Sequence, residues 1–242
     1  MKDFENDFQK KFTLPMLEEP RTLRIRFRKT GKLQYISHLD LQRTFARVLV
    51  RAGLPLWYTK GFNPHIKMVF GLPLPVGTES ECEYLDIRIE RDMPEAEVME
   101  RLNRELTEEL AVKEVYPAEH PFSDMAYAAH EYHIETAGAD EALAARVQAA
   151  ICSPLTAVKK TKSGEKETDL APLVRSAVVS FDGKGLCIDT VFAADGANYV
   201  NPELFVTALR QKTGILSGDP LAEGYSICRR AVLLSDGETL FR

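Results

Sequence analysis

The sequence predicts an α+β protein made of two split β-α-β halves in tandem. Three observations lead there: a strand-period segment from Thr22 to Lys29, a helix-period segment opening at Ser37, and a second run of elements in the same order after Tyr116. With 242 residues, 45% hydrophobic and 28% charged, the chain can bury two cores of ordinary size and is not a disordered polymer. No apolar run reaches the roughly 18 residues a membrane helix needs. The opening from Met1 to Phe12 is too charged for a secretory signal, so a cytoplasmic protein with no membrane partner is expected.

Residues 1–20 end in Leu17-Glu18-Glu19-Pro20 and read as an N-terminal tail. From Thr22 to Lys29, Leu23, Ile25 and Phe27 alternate with Arg24, Arg26 and Arg28, giving a strand with one apolar face and one arginine face. Ser37, with Asp40 three residues on, resembles a capping box. Helical stepping then places Leu41, Phe45, Val48, Leu49 and Ala52 on one stripe and Arg43, Arg47 and Arg51 on the opposite one. Gly53 stops that helix. Leu54 to Thr59 reads as a strand entering the Lys60–His65 loop, and Ile66 to Phe70 as a short strand. Leu72 to Gly77 is too rich in proline for a sheet. Cys82 to Glu90 alternates again, Pro94 to Leu110 has helical spacing, and Val112 to Tyr116 closes the unit as a strand.

The second half repeats the order. Ala126 to Glu135 reads as a strand, Asp140 to Ile151 as a helix, Leu155 to Lys160 as a strand, and Ala177–Phe181 with Leu186–Phe192 as a hairpin around Asp182-Gly183. Asn201 to Thr213 is a helix and Gly224 to Leu234 the last strand. Pro117 and Pro121 mark the boundary. The expected organisation is therefore a tail at 1–20, a basic ferredoxin-like domain at 21–118 and a second ferredoxin-like domain at 119–242.

A net charge of -5 conceals an asymmetry. Residues 21–68 carry eleven Lys/Arg against Asp40 alone, a net of +10, while residues 79–109 carry twelve acids against four arginines, a net of -8. Either the two segments neutralise each other across a packed interface, or the basic one faces a phosphate-rich partner. The second reading makes Arg24, Arg26, Arg28, Arg43, Arg47, Arg51, Lys60 and Lys67 an RNA-binding surface, with Trp57, Tyr58 and Phe62 as stacking faces beside the helix. The basic tip at Lys159–Lys162 reads as a solvated turn.

The densest polar cluster is Ser37, His38, Asp40 and Arg43 with the loop Gly61, Phe62, Asn63, Pro64, His65. His38 lies near the apolar stripe at the helix start. It is either a hydrogen-bonded pin between helix and sheet or a general acid/base. Asp40 falls among the arginines and reads as a local ion pair that orients Arg43. His65 sits in a rigid turn or a ligand-binding loop. A His-x-Asp pair plus a distant histidine is a weak metal spacing, so no metal and no cofactor is expected. Cys82, Cys152, Cys187 and Cys228 form no closely spaced pair and read as structural thiols, and His120, His130 and His133 form no motif.

The run from Tyr35 through Ser37-His38-Leu39-Asp40-Leu41, then Arg51 to Pro55, Gly61 to His65, Gly77 to Ser80 and Glu83 to Asp86, resembles the bacterial radical-SAM-linked family of unknown function. The resemblance covers residues 21–118 tightly and the remainder loosely. It implies a radical-SAM enzyme as partner in trans, since the cysteines here hold no cluster run. The basic helix followed by a Gly-Phe-Asn-Pro loop is more loosely similar to CRISPR repeat-processing endoribonucleases. The expected function is an RNA-binding recognition or accessory module, non-catalytic by itself. The alternatives are a metal-independent endoribonuclease using His38 and a protein-interaction scaffold.

Overall fold

The computed structural model describes residues 11–161, 164–196 and 198–242. It is an α+β structure whose chain forms two compact units, one holding residues up to Val76, Ser80–Phe122 and Arg242, the other Gly77–Glu79 and Ser123–Phe241. Among the described residues no helix is long and apolar enough to cross a membrane.

In the first unit β1 (Met16–Lys29) lies between β4 (Val112–Pro117) and β3 (Glu79–Arg91), and β2 (Met68–Phe70) pairs with β3, every pairing antiparallel. Asp86 is opposite Arg24 on one side and Val69 on the other, so the strand order is β4-β1-β3-β2. Leu23, Ile25 and Phe27 are fully buried, as the alternation predicts, and join one core with Leu41, Phe45 and Leu49 of α1 (His38–Arg51) and Val98 and Leu102 of α2 (Glu95–Glu105). Both helices therefore cover the Leu23-Ile25-Phe27 face of the sheet. Arg24, Arg26 and Arg28 belong to the other face.

Local chemistry fixes the ends of α1. Ser37 Oγ accepts from the Asp40 amide at the N-cap, and Gly53 takes the positive φ of 64° that the helix exit requires. Buried Arg101 of α2 pairs with Glu97 and donates to the Gly53 carbonyl at 3.4 Å, tying the two helices at that exit.

Four elements differ from expectation. Residues 16–20, read as tail, belong to β1, because the Asp92 amide bonds Pro15 O and the Arg91 guanidinium bonds Leu14 O. A register shift between Met16 and Arg21 accommodates Pro20, which has no amide proton. Residues 1–10 of the tail lie outside the described residues. Leu54–Thr59 is extended with isolated bridges only, Leu56 to Ile89 and Tyr58 to Ile66, since Pro55 cannot donate to a ladder. The helix expected to reach Leu110 ends at Glu105, where Asn103 bonds both the amide and the carbonyl of Val112 and turns the chain back.

In the second unit the strands run β10 (Gly224–Leu233), β5 (Tyr127–Glu135), β9 (Leu186–Ala193), β8 (Val174–Phe181), all antiparallel. α3 (Glu141–Ile151), capped by Asp140, and α4 (Pro202–Thr213), capped by Asn201, share a core with Tyr132, Ile134, Ile188 and Phe192. Between α3 and β8 the chain makes a separate hairpin of β6 (Thr156–Thr161) and β7 (Gly164–Asp169). β7 is the fourth departure. Its Gly-Glu-Lys-Glu-Thr-Asp sequence has no apolar alternation to announce a strand. Lys162 and Ser163 of the basic tip lie outside the described residues.

Candidate nucleic-acid interface

The arginine face of β1 is spoken for. Arg24 is fully buried; its Nε and one terminal nitrogen meet Asp86 at 2.7 and 2.8 Å, and the other terminal nitrogen donates to the carbonyls of His120 and Arg242 at 2.7 and 2.9 Å. Phe122 stacks 4.4 Å from the guanidinium carbon. Arg26 pairs with Glu114 and Arg28 with Glu108, both at 3.0 Å. Arg21 meets Asp92 and Glu95, and Arg51 meets Glu105 at 2.7 Å. The acidic stretch therefore neutralises much of the basic one inside this unit. For Arg24 the RNA-contact expectation is corrected: a like-charged row on one strand face is costly unless anions lie beside it, and here the protein supplies them. Tyr116, beneath the Arg242 guanidinium at 5.0 Å, is pushed up to about 12, chiefly by its own burial.

What remains outward lies along α1 and the loop after it. Arg43 is exposed and 3.5 Å from Asp40, which also accepts from Ser37 Oγ at 2.7 Å. Arg47, Lys60 and Lys67 are exposed and have no acidic partner among the described residues. His38 is exposed rather than tucked into the apolar stripe. Its ring still packs edge-on to Phe70 of β2 at 5.3 Å, and Gln42 Nε2 lies 2.9 Å from its Nε2. A histidine one position into a helix leans over the preceding turn, which carries it off the stripe and onto β2.

The loop is rigidly pinned at its neck. The Thr59 amide donates to His65 O at 2.9 Å, the His65 amide to Thr59 Oγ at 3.1 Å, and His65 Nδ1 lies 3.0 Å from Thr59 Oγ and 3.2 Å from Asn63 O. Gly61 takes φ of 139°, and the tip thrusts Phe62 wholly into solvent. Tyr35, Leu39 and Tyr58 are also exposed, whereas Trp57 is partly covered by Arg88 at 5.1 Å. Among the described residues no contact joins His38 to His65, and their donor atoms do not converge with Asp40. The arrangement can stack bases and meet phosphates. His38 and His65, the two histidines within it, are engaged with Gln42 and Thr59 respectively.

Donor atoms do converge elsewhere, at His133, Asp182 and Cys187 in the second unit. Their separations in sequence gave no signal, because the cluster exists only once β5 is paired with β9 in register.

A family model described as "Uncharacterized protein conserved in bacteria (DUF2344)" matches residues 22–202. No curated protein matches the chain. Among solved structures, one titled "Crystal Structure of an Unknown Protein from Galdieria sulphuraria" is similar at 10% identity over 87% of this chain and 99% of that one, with a TM-score of 0.27.

Proposed function

We propose that this chain, which belongs to the conserved bacterial family whose model it matches, is an RNA-binding recognition module, non-catalytic by itself. One observation carries the reading: a loop held closed by Thr59 and His65 presents Phe62 fully to solvent, with Lys60 inside the loop and Lys67 just beyond it, both exposed. Exposing a whole phenylalanine on a rigid loop forfeits burial, and a stacked base recovers it. Exposed Tyr35 and Tyr58 add aromatic faces, and Arg43 and Arg47 add charge. The strand orders β4-β1-β3-β2 and β10-β5-β9-β8, each with two helices in the core, support reading both units as ferredoxin-like. The motif series from Tyr35 to Asp86 supports a radical-SAM enzyme as the partner that acts on the bound RNA.

Fluorescence anisotropy with a labelled single-stranded RNA tests the reading. Phe62→Ala is expected to cost about 1–3 kcal/mol of affinity if a base stacks there, with the melting temperature unchanged because the side chain touches solvent only. Failure of the parent to bind, or equal binding by Phe62→Ala, overturns it.

A further inference from the structure

On the helix-free face of the second unit, β5 and β9 set His133 directly opposite Cys187, and the β8–β9 turn brings Asp182 back over the pair. His133 Nδ1 lies 3.5 Å from Cys187 Sγ and 3.6 Å from Asp182 Oδ2, and Cys187 Sγ lies 3.6 Å from the same Oδ2. The three donors form a nearly equilateral triangle of nitrogen, oxygen and sulfur. A tetrahedral zinc ion, with bonds of about 2.3 Å to sulfur and about 2.0–2.2 Å to nitrogen and oxygen, holds its ligand atoms about 3.3–3.6 Å apart. We propose that His133, Asp182 and Cys187 are three corners of a zinc-type divalent metal site whose fourth corner is taken by water.

The surroundings are arranged for that role. Asp182 Oδ1 accepts from the amides of Lys184 and Gly185, both at 2.8 Å, which orients Oδ2 toward the triangle. The turn is pressed so closely onto β5 that a β-carbon at Gly185 would come within 2.5 Å of Ile134 O. Glu135 Oε1 lies 3.8 Å from His133 Nε2, the ring nitrogen away from the triangle. A bound cation would hold the ligating Cys187 thiol deprotonated.

The competing chemistry is a nucleophilic cysteine with a histidine base. That arrangement places the thiol on one ring nitrogen and the orienting acid on the other. Here thiol and Asp182 carboxylate meet the same nitrogen. One soft, one borderline and one hard donor in a three-point set suit zinc or cobalt better than magnesium or calcium, which take oxygen ligands. Partial exposure of all three side chains leaves the fourth position open to solvent.

The test uses the full chain, stripped with chelator and kept reduced, titrated with zinc and separately with cobalt(II) as a spectroscopic probe. One equivalent of zinc per chain is expected, together with a thiolate-to-cobalt charge-transfer band and the intense visible bands of a tetrahedral ion. Cys187→Ser should abolish the charge-transfer band. Asp182→Asn, whose side-chain oxygen can still accept from Lys184 and Gly185, should weaken zinc binding at least about 10-fold, with metal-free circular dichroism unchanged. Substoichiometric zinc, an octahedral cobalt spectrum without a sulfur band, or undiminished affinity in folded Cys187→Ser overturns the proposal. The parent's cobalt spectrum alone decides the matter if a variant does not fold.

Discussion

Arg24 and Asp86, paired across β1 and β3, close a two-pronged ion pair at 2.7 and 2.8 Å with the guanidinium fully out of water. The remaining guanidinium nitrogen is satisfied by the His120 and Arg242 carbonyls, so one buried cation gathers a strand, the segment after β4 and the last residue of the chain. Such a pair contributes little net stability relative to a hydrophobic replacement, yet breaking it from one side strands a charge.

Asp86→Ala is accordingly expected to lower the unfolding free energy by about 3–5 kcal/mol. The double variant Arg24→Met with Asp86→Leu should recover most of that loss. Urea denaturation of the three proteins measures both values; a double variant as unstable as the single one would contradict the account.

The division of the arginines predicts a split in RNA binding. Arg47→Gln, Lys60→Gln and Lys67→Gln each remove an exposed cation and should reduce the salt dependence of single-strand binding by about 0.7 log unit per phosphate contact. Arg26→Gln should leave the slope near that of the parent, because Glu114 already holds its charge. Binding titrations over a range of potassium chloride concentrations separate the two groups, and identical slopes for all four variants would refute the division.

On the proposed reading His38 pins α1 to β2 through Phe70 rather than acting as a catalyst. Removing its edge-on contact with Phe70 in His38→Ala should cost about 0.5–1.5 kcal/mol. RNA incubated with the parent protein should stay intact. Metal-independent cleavage that disappears in a folded His38→Ala protein would restore the endoribonuclease alternative.

His130 predicts acid sensitivity of the second unit. Burial, and secondarily the neighbouring Arg229, lower its pKa from 6.5 to about 3. The folded state then binds fewer protons than the unfolded state, so the stability contribution is complete above about pH 6.5 and is lost as the pH falls toward 3, by at most about 1.4 kcal/mol per pH unit. His130→Leu should flatten the stability profile between about pH 6.5 and 4.5, a window above the ordinary range of carboxylates. An unchanged slope in denaturation midpoints across that window would count against it.

Local periodicity carried most of the element order. Leu23-Ile25-Phe27 and the stripe Leu41-Phe45-Val48-Leu49 are written in residues one or a few positions apart, and strand and helix geometry convert such patterns directly into a buried face. Ser37, Asp140 and Asn201 marked helix starts for the same reason, since a cap bonds a backbone group two or three residues away. The polar strand β7 and the early end of α2 were hidden because their partners, β6 and Val112, decide them.

The sequence alone therefore determined the α+β class, the identity of the core faces and the presence of a basic segment opposite an acidic one. Tertiary structure decided which charges meet. Only strand register sets Arg24 against Asp86 and Arg26 against Glu114 while leaving Arg47, Lys60 and Lys67 outside, and only the pairing of β5 with β9 draws His133, Asp182 and Cys187 into one triangle. Charge and ligand contacts act over a few ångströms in space, and residues as far apart in the chain as Arg24 and Asp86, or His133 and Cys187, acquire such distances only when the sheet forms.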